Sequence, residues 1–305
     1  MFPFLYRQPT PDGSTLDYGT WGLMLILAFL ACTMVAWRRL PKIGVNPDVL
    51  TPLLMLSVVT SIIGSRLMHF VFAEPEKFFS NPLIFFSPRE GGMAVLGGVM
   101  LASICGVIFL KRRGLPAIKM ADAITPTIFL GMAIGRVGCF FAGCCHGRVC
   151  DAPTTGSLTG GFFPGGEILG VQGFPWIAFS YHRGQTMGSI YETPVYPTQL
   201  MDAVVLFGLF LLTSWIWKHW RKWDGQLVAL YCIFAGSWRI VIELFRGDEI
   251  RGTGYFGFLS TGQVSSLALV AVGVVVAALT ISRGRGEEVA YEDEDDDDAL
   301  AYADE

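Results

Sequence analysis

Apolar residues run through this chain in seven long blocks: Thr20–Trp37, Leu50–Phe72, Gly91–Leu110, Ala121–Phe141, Gln199–Trp217, Gly225–Phe245 and Gly262–Ile281. Each block is close to the ~20 residues that a bilayer-crossing helix needs. One such block could be a buried helix of a soluble protein, but seven in one chain exclude that reading. The pattern predicts an all-α integral membrane protein with seven transmembrane helices. Between the fourth and fifth blocks, 143–197 is rich in Gly, Pro and Thr and carries aromatic clusters such as GGFFPGGE and GFPWIAFSY. This segment reads as a small irregular head of loops and short strands inserted into a membrane body spanning 1–286. Residues 1–17 are polar and turn-rich, and no cleavable signal peptide is expected there.

Composition sharpens this picture. Hydrophobic residues make up 52% of the 305 positions and charged residues only 16%, which departs from a soluble domain. The net charge of −4 hides an asymmetry. Residues 287–305 hold 11 of the 26 acidic residues and no Lys or Arg, leaving 22 basic against 15 acidic residues in the membrane body, or +7. That acidic tail is expected to be disordered and solvated. Basic clusters follow the first, third, fifth and seventh blocks, at Arg38, Arg39 and Lys42, at Lys111–Arg113 with Lys119, at Lys218–Lys222, and at Arg283 and Arg285. The positive-inside rule puts that side and the tail in the cytoplasm, and the N-terminus and head outside. These arginines orient helices. No nucleic-acid-binding module accompanies them, so no nucleic acid is expected as a partner.

Some polar residues stand where a passive anchor needs none. The fourth block ends in GRVGCFFAGCCHGR, Gly135–Arg148, and the sixth in RIVIELFR, Arg239–Arg246. Arg239, Glu243 and Arg246 follow i, i+4, i+7 spacing and share one helix face. Glu243 can hold either arginine by a charge-assisted bond. With Arg136 the set has more arginine than carboxylate, which points to an anionic ligand, and guanidinium matches phosphate oxygens. A structural salt-bridge network is the alternative. Arg66 and His69 pair at i, i+3 in the second block. Gly91, Gly92, Gly97 and Gly98 in the third suit either close helix contact or a ligand-facing break. Gln199 in YPTQL and Gln263 in STGQ can bond a headgroup or the neighbouring backbone.

Cys139, Cys144, Cys145 and Cys150 cluster around His146. On an oxidising outer face the first expectation is one or two disulfides, with Cys150 bridging Cys144 or Cys145. The spacing matches no standard zinc pattern, although metal binding and a reactive thiol stay open. Cys32, Cys105 and Cys232 are expected to be buried packing residues.

These motifs in this order resemble the prolipoprotein diacylglyceryl transferase family: GLM at Gly22–Met24, GSR at Gly64–Arg66, GGM at Gly91–Met93 with GG at Gly97 and Gly98, GRVG…GR at Gly135–Arg148, YPTQL, RIVIELFR and LSTGQ at Leu259–Gln263. The resemblance covers about residues 18–282. It implies transfer of the diacylglyceryl group of phosphatidylglycerol to the lipobox cysteine of a preprolipoprotein, with no metal and no organic cofactor, in the bacterial inner membrane. It implies that Arg136 and Arg239 grip the phosphate and that Glu243 orients them. Arg246, Gly138, Arg66, Gln199 and Gln263 are then expected around the headgroup. The chain also departs from the family pattern. Leu96 stands where a histidine proposed as base is typical, Cys139 replaces an asparagine and Cys144 a glutamate. Trp21 and Ala235 replace tyrosines, and Tyr196 replaces a histidine. His146, His69 or Glu243 could then activate the thiol, with His146 the candidate carried forward. A membrane thiol-redox or metal-handling protein and a non-catalytic lipid-binding paralogue are the other readings on the same scaffold.

Overall fold

A computed structural model describes residues 4–9, 15–72, 74–81, 84–85, 94–147, 161–164, 175–178, 195–243, 245, 253–255 and 259–284. Seven of its helices are long and apolar enough to cross a membrane: Thr20–Ile43, Pro47–Phe72, Val95–Arg112, Ala117–Ala142, Thr198–His219, Gln226–Glu243 and Gly262–Ser282. They coincide with the seven blocks. Many large apolar side chains on them point outward, including Leu25, Ile26, Leu30, Met55, Val204, Trp215 and Val275. In water such faces would be covered; in a bilayer they meet lipid. The protein is an all-α multi-pass membrane protein.

In chain order the elements are β1 (Phe4–Pro9), β2 (Thr15–Gly19), α1 (Thr20–Arg39), α2 (Leu50–Phe72), α3 (Pro75–Ser80), α4 (Val95–Arg112), α5 (Ala117–Ala142), β3 (Gly161–Pro164), β4 (Pro175–Ala178), α6 (Thr198–His219), α7 (Gln226–Glu243), β5 (Thr253–Tyr255), β6 (Leu259–Ser260) and α8 (Thr261–Gly284). The strands form three separate antiparallel pairs, β1 with β2, β3 with β4 and β5 with β6. The β3–β4 pair is the described part of the expected head. Gly91, Gly92 and Met93 of the third block lie outside the described residues, as do Arg148, Cys150, Arg246 and the acidic tail 287–305.

The described residues form two compact units. One comprises those of 37–120. Its seam is α2 against α4, and glycine makes it. A Cβ on Gly64 would strike the carbonyl oxygen of Gly97, one on Gly97 would strike that of Gly64, and one on Gly98 would meet Ser61 O at 2.8 Å. The two backbones touch, which side chains would forbid. Of the two roles open to Gly97 and Gly98, close helix packing is the one observed. The start of α4 is tied to the same partner, since Ala94 N–H donates to Ser65 O at 3.0 Å. Phe70, fully buried, stacks with Phe78 of α3 and approaches Phe85.

The other unit comprises the described residues of 1–36 and 121–293. Its core gathers Phe129 and Ala133 of α5, Leu206 of α6 and Ala235 of α7, with Trp238 and Leu269 packed around them. Gly236 and Gly273 seat α7 against α8: Cβ atoms there would meet Ser266 O at 2.8 Å and Ala229 O at 3.0 Å. Asp122, fully buried at the start of α5, accepts N–H bonds from Gly225 (2.7 Å), Leu227 (3.0 Å) and Val228 (3.2 Å). It thereby caps the N-terminus of α7 from a different helix, where orphan donors and the dipole favour an anion. Arg221 lies 3.5 Å from the same carboxylate and 2.7 Å from Asp224.

Candidate functional site

Four helices of the larger unit bring charged side chains together in two groups, one around Asp202 and one around Glu243. Arg136 projects from α5 in its last two turns, and its Nε lies 2.9 Å from Asp202 Oδ2. Asp202 sits in the second turn of α6, its side chain only 5% exposed. Its other oxygen accepts the indole N–H of Trp238 in α7 at 2.7 Å. The next residue, Arg239, pairs through Nη2 with Glu243 one turn on, at 2.7 Å. The Glu243 carboxylate in turn lies against the first turn of α8, so close that a Cβ on Gly262 would meet Glu243 Oε1 at 2.7 Å. Only glycine admits the carboxylate there, next to the α8 N-terminus, whose dipole suits an anion.

This arrangement corrects the sequence expectation twice. Glu243 does not orient both arginines, because Arg136 has a carboxylate of its own in Asp202. The excess of arginine also disappears among the described residues, where Arg136 and Arg239 are matched by Asp202 and Glu243. Asp202 was missed. Its signal was an ionisable residue within an apolar block, near its end, which by itself marks a functional or network position. Asp122 carries the same signal.

What persists is the exposure of the cations. The Arg136 and Arg239 side chains keep 21% and 24% of their surface open. Among the described residues Arg136 is engaged only through Nε, which leaves its Nη edge pointing elsewhere. A guanidinium carries five donors, so pairing does not exhaust it.

The remaining predicted residues divide between the two units. Gly138 lets α5 approach α1, since a Cβ there would meet Met24 Cβ at 2.9 Å and Trp21 Cδ1 at 3.3 Å. Gln263 stands in the first turn of α8 beside Gly262. Gln199, fully buried, donates from Nε2 to Cys144 O at 2.8 Å. Of its two anticipated roles, this is the backbone-holding one. Thr198 Oγ1 donates to Cys145 O at 3.0 Å, and Gly147 N–H donates to Tyr196 O at 2.8 Å. The YPTQL segment therefore clamps the cysteine-rich turn that follows α5. Arg66 belongs to the smaller unit, where Nη1 donates to Phe85 O at 2.8 Å and the guanidinium lies over the Phe70 ring. Leu96, in the first turn of α4, and His69, whose Nε2 is 4.0 Å from Glu74, belong to that unit as well. His146 pairs Nδ1 with Gly147 O at 3.0 Å. A carbonyl only accepts, so Nδ1 carries the proton and Nε2 is the basic nitrogen.

The disulfide expected through Cys150 falls outside the described residues, and no disulfide joins Cys139, Cys144 and Cys145 to one another. Their sulfurs lie within 4.8 Å of one another. The turn achieves this with two left-handed residues, Gly143 at φ 68° and Cys145 at φ 59°. Hydrogen bonding to the Cys139 and Cys145 thiols, then burial, pushes the Cys144 thiol far above the ordinary cysteine range.

Comparison with known proteins places this geometry. The family model for prolipoprotein diacylglyceryl transferase matches residues 14–279, nearly all of the membrane body. The chain belongs to that family. Among its relatives, a phosphatidylglycerol--prolipoprotein diacylglyceryl transferase of Clostridium tetani is 26% identical over 85% of this chain and 91% of its own length. The Legionella pneumophila (strain Paris) protein of the same name is 27% identical over 83% and 89%. The Corynebacterium diphtheriae protein of that name is 28% identical over 89% and 93%. Within this diacylglyceryl transferase, Arg136, Asp202, Trp238, Arg239, Glu243 and Gly262 thus form one polar line across α5, α6, α7 and α8, its two groups meeting at the consecutive residues Trp238 and Arg239.

Proposed function

We propose that this chain transfers the diacylglyceryl group of phosphatidylglycerol to the lipobox cysteine of prolipoproteins, the first step of lipoprotein maturation, with Arg136 and Arg239 as the phosphate-binding residues. The observation that carries the assignment is the polar line itself, in which each arginine is aimed by a carboxylate and its side chain stays part exposed. Phosphatidylglycerol presents a phosphodiester anion at the membrane boundary, and the Nη edge of Arg136 suits two of its oxygens. As the acceptor sulfur attacks the glyceryl carbon, the carbon–oxygen bond to phosphate breaks and charge grows on the departing glycerol phosphate. Prepositioned guanidinium groups stabilise that charge more than they stabilise the diester, which lowers the barrier.

Asp202 and Glu243 set the aim of the two arginines, and Trp238 fixes Asp202 by occupying its second oxygen. Glu243 is the nearest carboxylate to Arg239 and completes the catalytic set. Arg246, Gly138 and Gln263 border the headgroup in this reading, Gln199 holds the turn after α5 beside them, and the Nε2 of His146 is the candidate acceptor of the thiol proton. The membrane body spans 1–286 with a periplasmic head at 143–197, and the acidic tail 287–305 lies in the cytoplasm of a bacterial cell, with the N-terminus in the periplasm.

The test is a transfer assay in detergent, with labelled phosphatidylglycerol and a lipobox peptide, read by mass spectrometry of the peptide cysteine. A diacylglyceryl adduct is expected from the natural chain and none from Arg136→Ala or Arg239→Ala at equal membrane insertion. Full activity in both variants would refute the assignment. A reporter fused after residue 305 should be active in the cytoplasm only.

A further inference from the structure

The far end of α6 carries a built surface that the phosphate grip leaves unused. Gln199 stands at one end of this helix and His219 at the other, twenty residues or about 30 Å apart. That distance is one hydrocarbon thickness, so the turn between α6 and α7 lies at the membrane boundary opposite Arg136. The sequence there, WIWKHWRKWDG, interleaves tryptophan with cations. The fold sorts these cations into two kinds. Arg221 turns inward: its side chain is only 5% exposed, with Nη2 2.7 Å from Asp224 and Nε 3.5 Å from Asp122. Lys218 and Lys222 stay exposed, and among the described residues neither ammonium meets a carboxylate. Lys222 is nevertheless fixed in place. Its Nζ sits over the Trp220 ring, 5.4 Å from the centroid, and its backbone N–H donates to Gln226 Oε1 at 2.7 Å. Trp220 leans on Trp215, ring centroids 6.4 Å apart, and Trp215 stacks on His219 at 5.7 Å. Both tryptophans are exposed.

Two ordinary duties of boundary lysines do not account for this arrangement. Cations at a helix C-terminus serve its orphan carbonyls. Here Trp215 O accepts from His219 Nδ1, Ile216 O from Trp220 N–H and Trp220 O from Gln226 Nε2, so neither ammonium is needed there. A cation that only sets topology needs no fixed position, whereas Lys222 is seated on a ring. An exposed indole settles at the headgroup level of a bilayer, where its apolar ring and polar N–H are both accommodated. Ammonium groups at that level attract phosphate as point charges. The Trp220 face that could cage a quaternary ammonium is already taken by Lys222, which turns the surface against choline and toward an anion.

We infer that Lys218, Trp220 and Lys222 form a second lipid site, which binds the phosphodiester headgroup of an anionic phospholipid in the leaflet opposite Arg136. This lipid is held and not consumed, because the arginine pairs stand a membrane thickness away. The site depends on the membrane architecture alone and not on the transferase reading. Trp220 sets the position of the Lys222 ammonium, and Lys218 on the last turn of α6 supplies the second charge. From inside, the Asp122 carboxylate holds the backbone at Gly225, Leu227 and Val228, so the lysines are presented from a fixed turn.

The test places the full chain in phosphatidylcholine nanodiscs, with and without a minor fraction of phosphatidylglycerol. Lysines are acetylated briefly, and each is read by peptide mass spectrometry. Lys218 and Lys222 should react about fivefold more slowly with phosphatidylglycerol present, the scale for one lysine held at an anionic surface. Lys111, which ends α4 and has no ring contact among the described residues, should slow only when phosphatidylglycerol becomes the major lipid. Trp220→Ala should remove the protection of Lys222 at the minor fraction, and Trp220→Phe, which keeps a ring, should retain most of it at an unchanged melting temperature. Equal labelling in the two kinds of disc would overturn the inference, since the surface would then be covered by protein or by no lipid in particular. Lys111 slowing in step with Lys222 would overturn it as well, reducing the effect to the general charge of the membrane. Protection by soluble glycerol phosphate alone would do the same, assigning the surface to a free phosphate. A transfer assay on the same discs separates the two readings. Protected lysines in a chain that transfers no lipid would sink the transferase reading and keep this site, and transfer with unprotected lysines would do the opposite.

Discussion

Two buried aspartates, Asp122 and Asp202, organise opposite ends of the same helices and do different things. Asp122 takes three backbone N–H groups, and its arginine, Arg221, keeps only 5% of its side chain exposed. Asp202 takes one indole N–H, and its arginine, Arg136, keeps 21%. Arg136 lies fourteen residues beyond Asp122 along α5, about 21 Å at 1.5 Å per residue. The first cluster is closed and its charges satisfy each other and a helix end. The second is open, with the carboxylate holding a cation that still faces outward. Counting ion pairs cannot separate the two. The arginine's remaining exposure does, because an anionic ligand can reach only a guanidinium that is not enclosed.

Experiments can break this contrast. The largest effect is expected from Arg136→Ala, which should lower diacylglyceryl transfer by about 10²–10³-fold, the range for losing one donor to a developing anion. Its melting temperature in detergent should fall less than that of Asp122→Ala, because Asp202, left without Arg136, still accepts the Trp238 N–H. Asp122→Ala should do the reverse. Leaving Arg221 and three amides without their acceptor should destabilise the chain by about 3–5 kcal/mol, read as a lowered melting temperature, with transfer per folded molecule retained. If Arg136→Ala melts early or Asp122→Ala stays folded but inactive, the open and closed assignments are wrong. A smaller effect sharpens the contrast: Asp202→Asn keeps the shape and one of the two acceptor oxygens but removes the charge that aims Arg136. It should cost roughly tenfold in transfer, in line with about 1.4 kcal/mol from a weakened charge-assisted bond. The smallest is Gly262→Ala, whose added methyl must push the Glu243 carboxylate aside. A few-fold loss of transfer is expected, on the order of 0.5–1 kcal/mol of off-rotamer strain, measured as kcat against KM for phosphatidylglycerol.

The membrane architecture was legible in the sequence because lipid imposes a length and an apolar composition on every span, and both are local properties. The Arg239–Glu243 pair was legible for the same reason, since i, i+4 spacing on a helix is a local fact. Asp202 was not, because its partners come from α5 and α7, and no spacing along α6 announces Arg136 or Trp238. The cysteine cluster was legible as a cluster but not in its geometry. Oxidising surroundings favour disulfides in general, but the observed turn brings three sulfurs together without pairing any two. The role of Gln199 was undecided between lipid and backbone because an amide serves both, and only the position of Cys144 O distinguished them. Gly97 and Gly98 were ambiguous until Gly64 and Ser61 were found opposite them.

The clasp between Gly147 and Tyr196 bears on how this scaffold can vary. With Gly147 N–H donating to Tyr196 O, the loop between these two residues is already closed at its ends. Lengthening such an excursion adds little further entropy loss, because closure scales only with the logarithm of length. The segment between is therefore a socket for inserted sequence. By that scaling its length and content can change at small entropic cost while the clasp between the ends of α5 and α6 stays in place.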